Sequence, residues 1–295
     1  MNKIYQGDSL AILKTLPDNV IDCCITSPPY WGLRDYCVEG QIGLETSPVY
    51  FIQKLVDVFA EVRRCLKPEG TCWINIGDTY AHSGCTRGEF SHKKTGNGLK
   101  AKDLVGIPWM LAFALRNDGW YLRQEIIWHK TNALPESVTD RCTKAHEQIF
   151  LLTKSQKYYW DKNAISTPAK ESSIKRLERD VSNSLKYPEK KGLLKTMAAW
   201  EGNVNKRSVW SISTASFKGQ HFATFPEKLI EPMVLAGCPE GGIVLDPFMG
   251  AGTTALVACK FNRQYVGIEL NSDYIKIAED RLKECQITMW GNKIT

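Results

Sequence analysis

The chain has 295 residues, 43% of them hydrophobic and 24% charged, with a formal net charge of +6. These values are ordinary for a soluble globular protein, and the length allows one large or two modest domains whose core needs no disulfide bonds. No apolar run could span a membrane, no signal peptide is expected and the ten cysteines include no CxxC pair, so we expect a cytoplasmic protein with reduced thiols.

Strands and helices alternate in the first half of the chain. The strands are short apolar runs rich in Val and Ile, whereas the helices have apolar residues three and four positions apart. Pro68 and Gly70 close one helix, and Pro108 lies in the first turn of another. The predicted order is strand 20–26, helix 54–70, strand 71–78, helix 103–120, strand 121–130 and strand 147–154.

The loop at residues 82–92 contains His82, Cys85 and His92 in a Gly- and Ser-rich stretch. Zinc sites usually bring their ligands in closely spaced pairs, which this loop lacks. We therefore expect no metal site and no metal requirement.

Between residues 160 and 212 the periodic patterns disappear and a basic segment takes their place. Residues 161–220 contain twelve Lys or Arg and six Asp or Glu, which accounts for the whole net charge of +6. Aromatic residues occur in the same region, at Trp160, Tyr187, Trp200 and Trp210. A run of lysines alone is often a solvated surface, but basic and aromatic residues together are typical of nucleic-acid contacts. The segment is predicted to contact nucleic acid.

Regular patterns return after the basic segment. The predicted order is helix 226–238, strand 241–248, helix 252–261, strand 264–270 and helix 272–284. Strand–helix alternation at both ends of the chain predicts an α/β fold, with one Rossmann-like, doubly wound mixed sheet built from the two ends together.

A glycine-rich turn follows the strand at residues 241–248. Gly250 and Gly252 would let the backbone approach a ligand beyond the strand end, and Glu269 at the tip of the next strand suits the hydroxyls of a ribose. No lysine follows as in a P-loop, and the third glycine of a dinucleotide fingerprint is missing. A structural turn would explain the glycines alone, but together with Glu269 they indicate a nucleoside-bearing cofactor without a pyrophosphate.

The strand at residues 20–26 ends in Ser27-Pro28-Pro29-Tyr30. Neither proline has an N–H to donate, and one proline or glycine would be enough to end a strand. A rigid turn with Tyr30 in the core would explain the motif if it stood alone. Two stiff residues before an aromatic one also suit a loop that is held rigid for chemistry.

The motifs TSPPYW, DPFMGAGTT and GIEL resemble those of the amino-methylating DNA methyltransferases. The resemblance covers nearly the whole chain, has the motif order of the permuted β class and is closest to N4-cytosine enzymes. It implies a circularly permuted class I methyltransferase fold, S-adenosylmethionine as cofactor and duplex DNA as partner. Residues 1–160 would then be the catalytic half, residues 161–212 the target-recognition insert and residues 213–295 the cofactor-binding half.

The resemblance also implies a cofactor site. GDSLAILKTLPDNVID would place Asp8 beside the adenine, and HFATFPEKLIEP would place Phe225 and Pro226 at the methionine end. The remaining expected contacts are Thr26, Asp246, Pro247, Phe248, Gly250, Gly252, Thr253, Thr254 and Glu269. If the strands before Ser27 and Asp246 are neighbours, both loops open on one pocket.

Catalytic roles fall, by the same resemblance, to Ser27, Pro28, Pro29 and Tyr30. The exocyclic amine of cytosine or adenine is a poor nucleophile because its lone pair is delocalised into the ring. Ser27 Oγ and the Pro28 carbonyl would accept hydrogen bonds from that amine and direct its lone pair at the methyl group, while the prolines keep the loop stiff. Tyr30 would stack on a base flipped out of the duplex.

Other reactions and other functions are also compatible with parts of the sequence. Cytosine-C5 methylation is disfavoured because that family needs a Pro-Cys dipeptide, and no Pro here is followed by Cys. Ser27 in place of Asp favours N4 of cytosine, but both residues accept the same hydrogen bond, so N6 of adenine stays open. A protein-glutamine methyltransferase and an inactive DNA-binding module are less favoured. A partnering restriction nuclease and a dimer also stay open.

Overall fold

A computed structural model describes residues 2–33, 35, 38–81, 98–176, 179, 202–214 and 225–291 of the protein. The chain forms two compact units, one of residues 1–160 with 208–295 and one of residues 161–207. The loop residues His82, Cys85 and His92, and the aromatic residues Tyr187 and Trp200, lie outside the described residues.

The strands of the described residues form one large and one small sheet. They are β1 (Lys3–Gln6), β2 (Ile21–Thr26), β3 (Leu66–Ile76), β4 (Tyr121–His129), β5 (His146–Thr153), β6 (Thr167–Pro168), β7 (Asn203–Val204), β8 (Val209–Ser211), β9 (Ile243–Asp246) and β10 (Gln264–Glu269). Eight of them make the large mixed sheet, in the order β1-β10-β9-β2-β3-β5-β4-β8. β5 runs antiparallel to β3 and β4, and the other neighbouring strands are parallel.

Helices cover both faces of the large sheet. They are α1 (Ser9–Leu13), α2 (Pro48–Cys65), α3 (Ile107–Asn117), α4 (Glu227–Gly237), α5 (Thr253–Lys260) and α6 (Ser272–Gly291). α2 packs against α1 and α3, whereas α5 packs against α4 and α6. Alternate residues of β3 show that the two sets lie on opposite faces, because Ile74 packs in the core beneath α2 while Trp73 contacts Gly237 of α4.

The strand order reverses between β2 and β9, at the centre of the sheet. β9 leads into β10 on one side, and β2 leads into β3 on the other. The two strands are parallel neighbours, with Cys23 opposite Val244 and Cys24 opposite Leu245. Such a reversal leaves a crevice beyond the carboxyl ends of the two strands, which is where ligands of doubly wound sheets bind.

The expected α/β fold is confirmed, and each predicted strand and helix is present. The helix predicted at residues 54–70 is α2, and both of its predicted ends are wrong. Ser47 starts α2 by accepting a hydrogen bond from the Tyr50 amide at 3.3 Å, and the helix stops at Cys65 because Leu66 already pairs with Ile21 of β2.

Five short elements were not predicted: β1, α1, β6, β7 and β8. β8 falls inside the predicted insert at residues 161–212, yet it pairs with β4 in the large sheet, where Trp210 is buried opposite Trp128. The assignment of separate functions to residues 1–160, 161–212 and 213–295 stays a prediction.

The unit of residues 161–207 contains the small sheet. β6 and β7 pair antiparallel, with Thr167 opposite Val204, and the Ala169 amide donates to the Gly202 carbonyl at 2.9 Å. Within the described parts of the whole chain, no helix is long and apolar enough to cross a membrane.

Candidate active site

A buried carboxylate joins the ends of β2 and β9. Asp246 accepts hydrogen bonds from the hydroxyls of Thr26 at 2.6 Å and Thr254 at 2.7 Å. The Phe248 amide donates a third bond at 3.1 Å. Burial raises the pKa of Asp246 to about 6, although these donors oppose the rise. Thr26 and Asp246 are 220 positions apart in the sequence, so this contact brings the two distant motifs together.

A cavity of about 400 Å³ opens beyond these strand ends. Most of the residues predicted for the site line it, namely Asp8, Ser27, Pro28, Pro29, Tyr30, Phe225, Pro247, Phe248, Gly250, Thr253 and Glu269. The loops after β2 and β9 therefore open on one cavity, as expected for parallel neighbours at a reversal of strand order.

Five predicted residues do not reach the cavity wall: Thr26, Pro226, Asp246, Gly252 and Thr254. Thr26, Asp246 and Thr254 bond to one another beneath it. Gly252 precedes α5 with φ +78°, and a Cβ there would lie 2.8 Å from the Cβ of Ala278 in α6. These four residues support the cavity wall from behind, whereas Pro226 directly precedes α4.

One end of the cavity fits a nucleoside. The carboxylate of Glu269, at the tip of β10, accepts hydrogen bonds from the Gly250 amide at 2.7 Å and the Asn271 amide at 2.8 Å. Burial raises the pKa of Glu269. The Gly250 backbone is open, since no atom lies within 4 Å of the position that a Cβ would take. A fixed carboxylate beside open backbone matches what a ribose requires.

Asp8 and Ser9 complete this end. The Asp8 carboxylate caps α1 by accepting from the Ala11 amide at 2.8 Å, and the Ser9 hydroxyl donates to the Pro247 carbonyl at 2.6 Å. Both residues line the cavity. The N-terminal segment is thus joined directly to the loop after β9, which explains how Asp8 comes to the site.

The other end of the cavity is formed by Ser27, Pro28, Pro29 and Tyr30. Tyr30 is half-buried, and its ring lies directly over Gly77 at the end of β3, where a Cβ would come within 2.6 Å of Cε2. Burial and the neighbouring Glu147 raise the pKa of Tyr30, so its hydroxyl keeps the proton. The hydroxyl donates a hydrogen bond to Glu147 Oε2 at 2.7 Å.

Several cavity residues at or near the ends of other strands were not predicted from the sequence. They include Asn75, Trp128, Lys130 and Glu147. Glu147 accepts from Lys130 Nζ at 2.5 Å and from Asn75 Nδ2 at 3.1 Å, in addition to Tyr30. If the predicted strands at 121–130 and 147–154 are antiparallel neighbours, Lys130 and Glu147 come to the same end of the sheet. That pairing is the feature of the sequence that could have placed both residues at the site.

Comparisons with known proteins agree with the geometry. A family model described as DNA methylase (N6_N4_Mtase) matches residues 21–280. The type II methyltransferase M.Cfr9I of Citrobacter freundii is 46% identical over 291 residues, which cover 95% of this chain and 87% of that protein. M.SmaI of Serratia marcescens, also a type II methyltransferase, is 46% identical over 290 residues, which cover 95% of this chain and 90% of that protein.

Two solved structures share the fold. PvuII DNA methyltransferase, described as cytosine-N4-specific, has a TM-score of 0.66 and 20% identity, and the match covers 95% of this chain and 86% of that one. TTHA0409 from Thermus thermophilus, solved in complex with S-adenosyl-L-methionine, has a TM-score of 0.62 and 22% identity, with 97% and 94% covered.

Proposed function

The chain belongs to the N6_N4_Mtase family of DNA methylases, and we propose that it transfers a methyl group to N4 of cytosine in duplex DNA. The expected family, enzyme class and cofactor are confirmed, so the protein is an S-adenosylmethionine-dependent DNA methyltransferase. The choice of cytosine N4 is our proposal.

Ser27 carries this proposal. It is the residue that faces the cavity directly after β2, and its backbone is fixed through the Thr26–Asp246 hydrogen bond of 2.6 Å. Family members with Ser at this position lean towards cytosine N4, whereas those with Asp lean towards adenine N6. PvuII methyltransferase, described as cytosine-N4-specific, has the same fold.

The residues of the loop have separable roles in the proposed reaction. When bound, the cofactor supplies an electrophilic methyl group. Ser27 Oγ and the Pro28 carbonyl accept hydrogen bonds from the amino group of the base, which favours a pyramidal nitrogen with its lone pair directed at that methyl group. Pro28 and Pro29 keep the acceptors aimed before the base arrives. Tyr30 offers its ring face for stacking.

The proposed cofactor contacts follow from the lining of the cavity. Glu269 would hold the ribose hydroxyls, Asp8 would lie beside the adenine and Phe225 would close over the methionine end. Gly250 and Phe248 would form the wall between them. Removing the Glu269 carboxylate, as Glu269→Ala, should weaken cofactor affinity; unchanged affinity in a titration would remove Glu269 from the site.

The biological setting is proposed from the relatives. M.Cfr9I and M.SmaI are type II methyltransferases, so we propose that this enzyme protects DNA against a restriction nuclease. Membership of a DNA methylase family counts against a protein-glutamine substrate.

A nucleoside digest tests the proposed function. The purified chain is incubated with tritiated S-adenosylmethionine and unmodified plasmid DNA, which is then digested and analysed by mass spectrometry. N4-methylcytosine is expected. N6-methyladenine would mean that the enzyme methylates adenine, the second candidate, with the same loop, since Ser27 can accept a hydrogen bond from either amine. Unmodified nucleosides despite normal cofactor binding would contradict DNA methylation and favour an inactive DNA-binding module.

A further inference from the structure

We propose that Glu147 is a positioning residue that holds the Tyr30 ring in place for the flipped base. The inference rests on the proposed function, because Tyr30 needs a fixed pose only if a base stacks on it. Neither the Ser-Pro-Pro-Tyr motif nor the glycine loop contains Glu147, and it enters the site from a different part of the sheet.

Glu147 lies where four segments of the chain meet. It is the second residue of β5, and its carboxylate contacts Tyr30 after β2, Asn75 near the end of β3 and Lys130 after β4. Its side chain is only 12% exposed. A carboxylate at this depth needs donors, and the three contacts supply them at 2.7, 3.1 and 2.5 Å.

The contacts fix the tyrosine at two points. Gly77 supports the ring from below, because its missing side chain leaves room for the ring edge. Glu147 fixes the far end by accepting a hydrogen bond from the hydroxyl. The ring faces the same cavity as Ser27. The Tyr30 hydroxyl bonds to Glu147 and also interacts with the Ser27 side chain, so Tyr30 meets a base through its ring face.

Lys130 makes this arrangement specific for a carboxylate. Its ammonium bonds to Glu147 Oε1 while the Tyr30 hydroxyl bonds to Oε2. A glutamine in place of Glu147 has one oxygen and one NH₂ group. With its oxygen towards Lys130, its NH₂ group faces the NH₂ donor of Asn75 and reverses the direction of the hydrogen bond with Tyr30. Glu147→Gln preserves the shape of the side chain and still breaks the cluster.

A double-mutant cycle tests the inference. We expect Glu147→Gln to lower the single-turnover methylation rate about 10- to 100-fold, the usual consequence of a small misplacement in an active site. Tyr30→Phe should cause a loss of similar size, and the double variant should lose no more than the larger single effect. Affinity for S-adenosylmethionine should stay within about twofold of the wild-type value in all three variants, because none of them changes the ribose end of the cavity.

A matched control is Glu125→Gln, the same change at a half-buried glutamate on the neighbouring strand β4 that does not line the cavity. It should keep wild-type turnover. If Glu147→Gln costs the same factor with Phe at position 30 as with Tyr, its effect does not pass through Tyr30 and the inference is overturned.

A crystal structure of the Glu147→Gln variant decides the inference independently of activity. A displaced Tyr30 ring supports it, and an unmoved ring refutes it. Failure of the proposed function looks different, because the wild-type chain would then leave the nucleosides of the digest unmodified.

Discussion

Ser27 and Tyr30 contribute different things to one short loop. We propose that Ser27 offers an oxygen to the amino group, whereas the Tyr30 hydroxyl interacts with Glu147 and Ser27 and leaves the ring for the base. The two prolines between them have no N–H, so the loop is shaped by sterics and by its neighbours. Changes at these residues should therefore affect the chemical step more than cofactor binding.

Ser27→Ala removes the proposed acceptor. We expect the single-turnover rate to fall about 100-fold, by analogy with the loss of one preorganised hydrogen-bonding group at a reacting centre. Rapid quench with tritiated cofactor measures this rate, and a titration measures cofactor affinity, which should be unchanged. Ser272→Ala, an exposed serine at the start of α6, is the matched control. Normal turnover in Ser27→Ala would show that the acceptor is another group.

Asp246 makes the stability of the protein depend on pH. Its folded pKa of about 6 lies above the ordinary value of 3.8, so between these values the folded protein holds a proton that the unfolded chain has lost. The contribution of Asp246 is therefore fully present below pH 3.8 and is lost as the pH rises through 6.

Comparison with Asp246→Asn isolates this effect, because asparagine keeps the shape and does not titrate. The free energy of unfolding of the wild type, relative to that of the variant, should be about 1 kcal/mol larger at about pH 5 than at about pH 7. Urea unfolding at the two pH values measures it. A difference that does not change with pH would mean that Asp246 titrates in its ordinary range.

Sequence reasoning found the two loops of the site because local chemistry marks them. Double prolines and a glycine pair after strands are visible without any knowledge of the fold. Glu147 and Lys130 carry no such mark, since a glutamate and a lysine at strand ends are common on any surface. Only the pairing of β4 with β5, with Trp128 opposite Glu147, turns them inward.

The end of β3 is as important for the site as the loop after β2. Gly77 has no side chain where Tyr30 lies, and a Cβ there would be 2.6 Å from the ring. Its backbone does not need positive φ, so alanine is compatible with the local conformation. The substitution should leave β3 intact and move the ring.

Gly77→Ala is expected to lower the methylation rate about 10- to 100-fold through displacement of Tyr30. The thermal midpoint and the cofactor affinity should change little, because Asp246 and Glu269 lie at other strand ends. Single-turnover assays and a melting curve measure the two effects. Wild-type turnover in this variant would mean that Tyr30 tolerates a different pose.

The long elements were predictable and the short ones were not. β2 is buried along its whole length, and apart from Asp22 its sequence is a run of apolar and small residues. β1 and β8 have four and three residues, of which only Trp210 is buried, so neither shows an apolar run as the equally short β9 does. They form the two outer strands by pairing with β10 and β4. At residues 66–70 the sequence LKPEG is typical of a helix end, and pairing with β2 extends β3 into it instead.

At the scale of the whole molecule, charge is concentrated in one segment. The basic residues of positions 161–220 account for the net charge of +6. We propose that this segment contacts the phosphates of the substrate DNA. The logarithm of the binding constant should then fall linearly with the logarithm of the salt concentration.

Replacing two exposed lysines of this segment tests the proposal. Lys162→Ala with Lys170→Ala should weaken binding to plasmid DNA and reduce the salt slope by about 0.9 for each phosphate that the variant no longer neutralises. The control pair is Lys276→Ala with Lys283→Ala on α6, where each lysine already pairs with an aspartate. If the variant with Lys162→Ala and Lys170→Ala has the same salt slope as the wild type, the segment is a solvated surface that does not contact DNA.

The pairing of β1 with β10 has a consequence for how the protein is made. β1 is synthesised long before its neighbour β10, which starts at Gln264, and the central strand β9 is nearly as late. At translation rates of roughly 5–20 residues per second, β1 waits on the order of 10 to 50 seconds for its neighbour. The cavity therefore cannot form until β9 and β10 have been synthesised, and the edge of β2 that pairs with β9 stays unpaired during that interval.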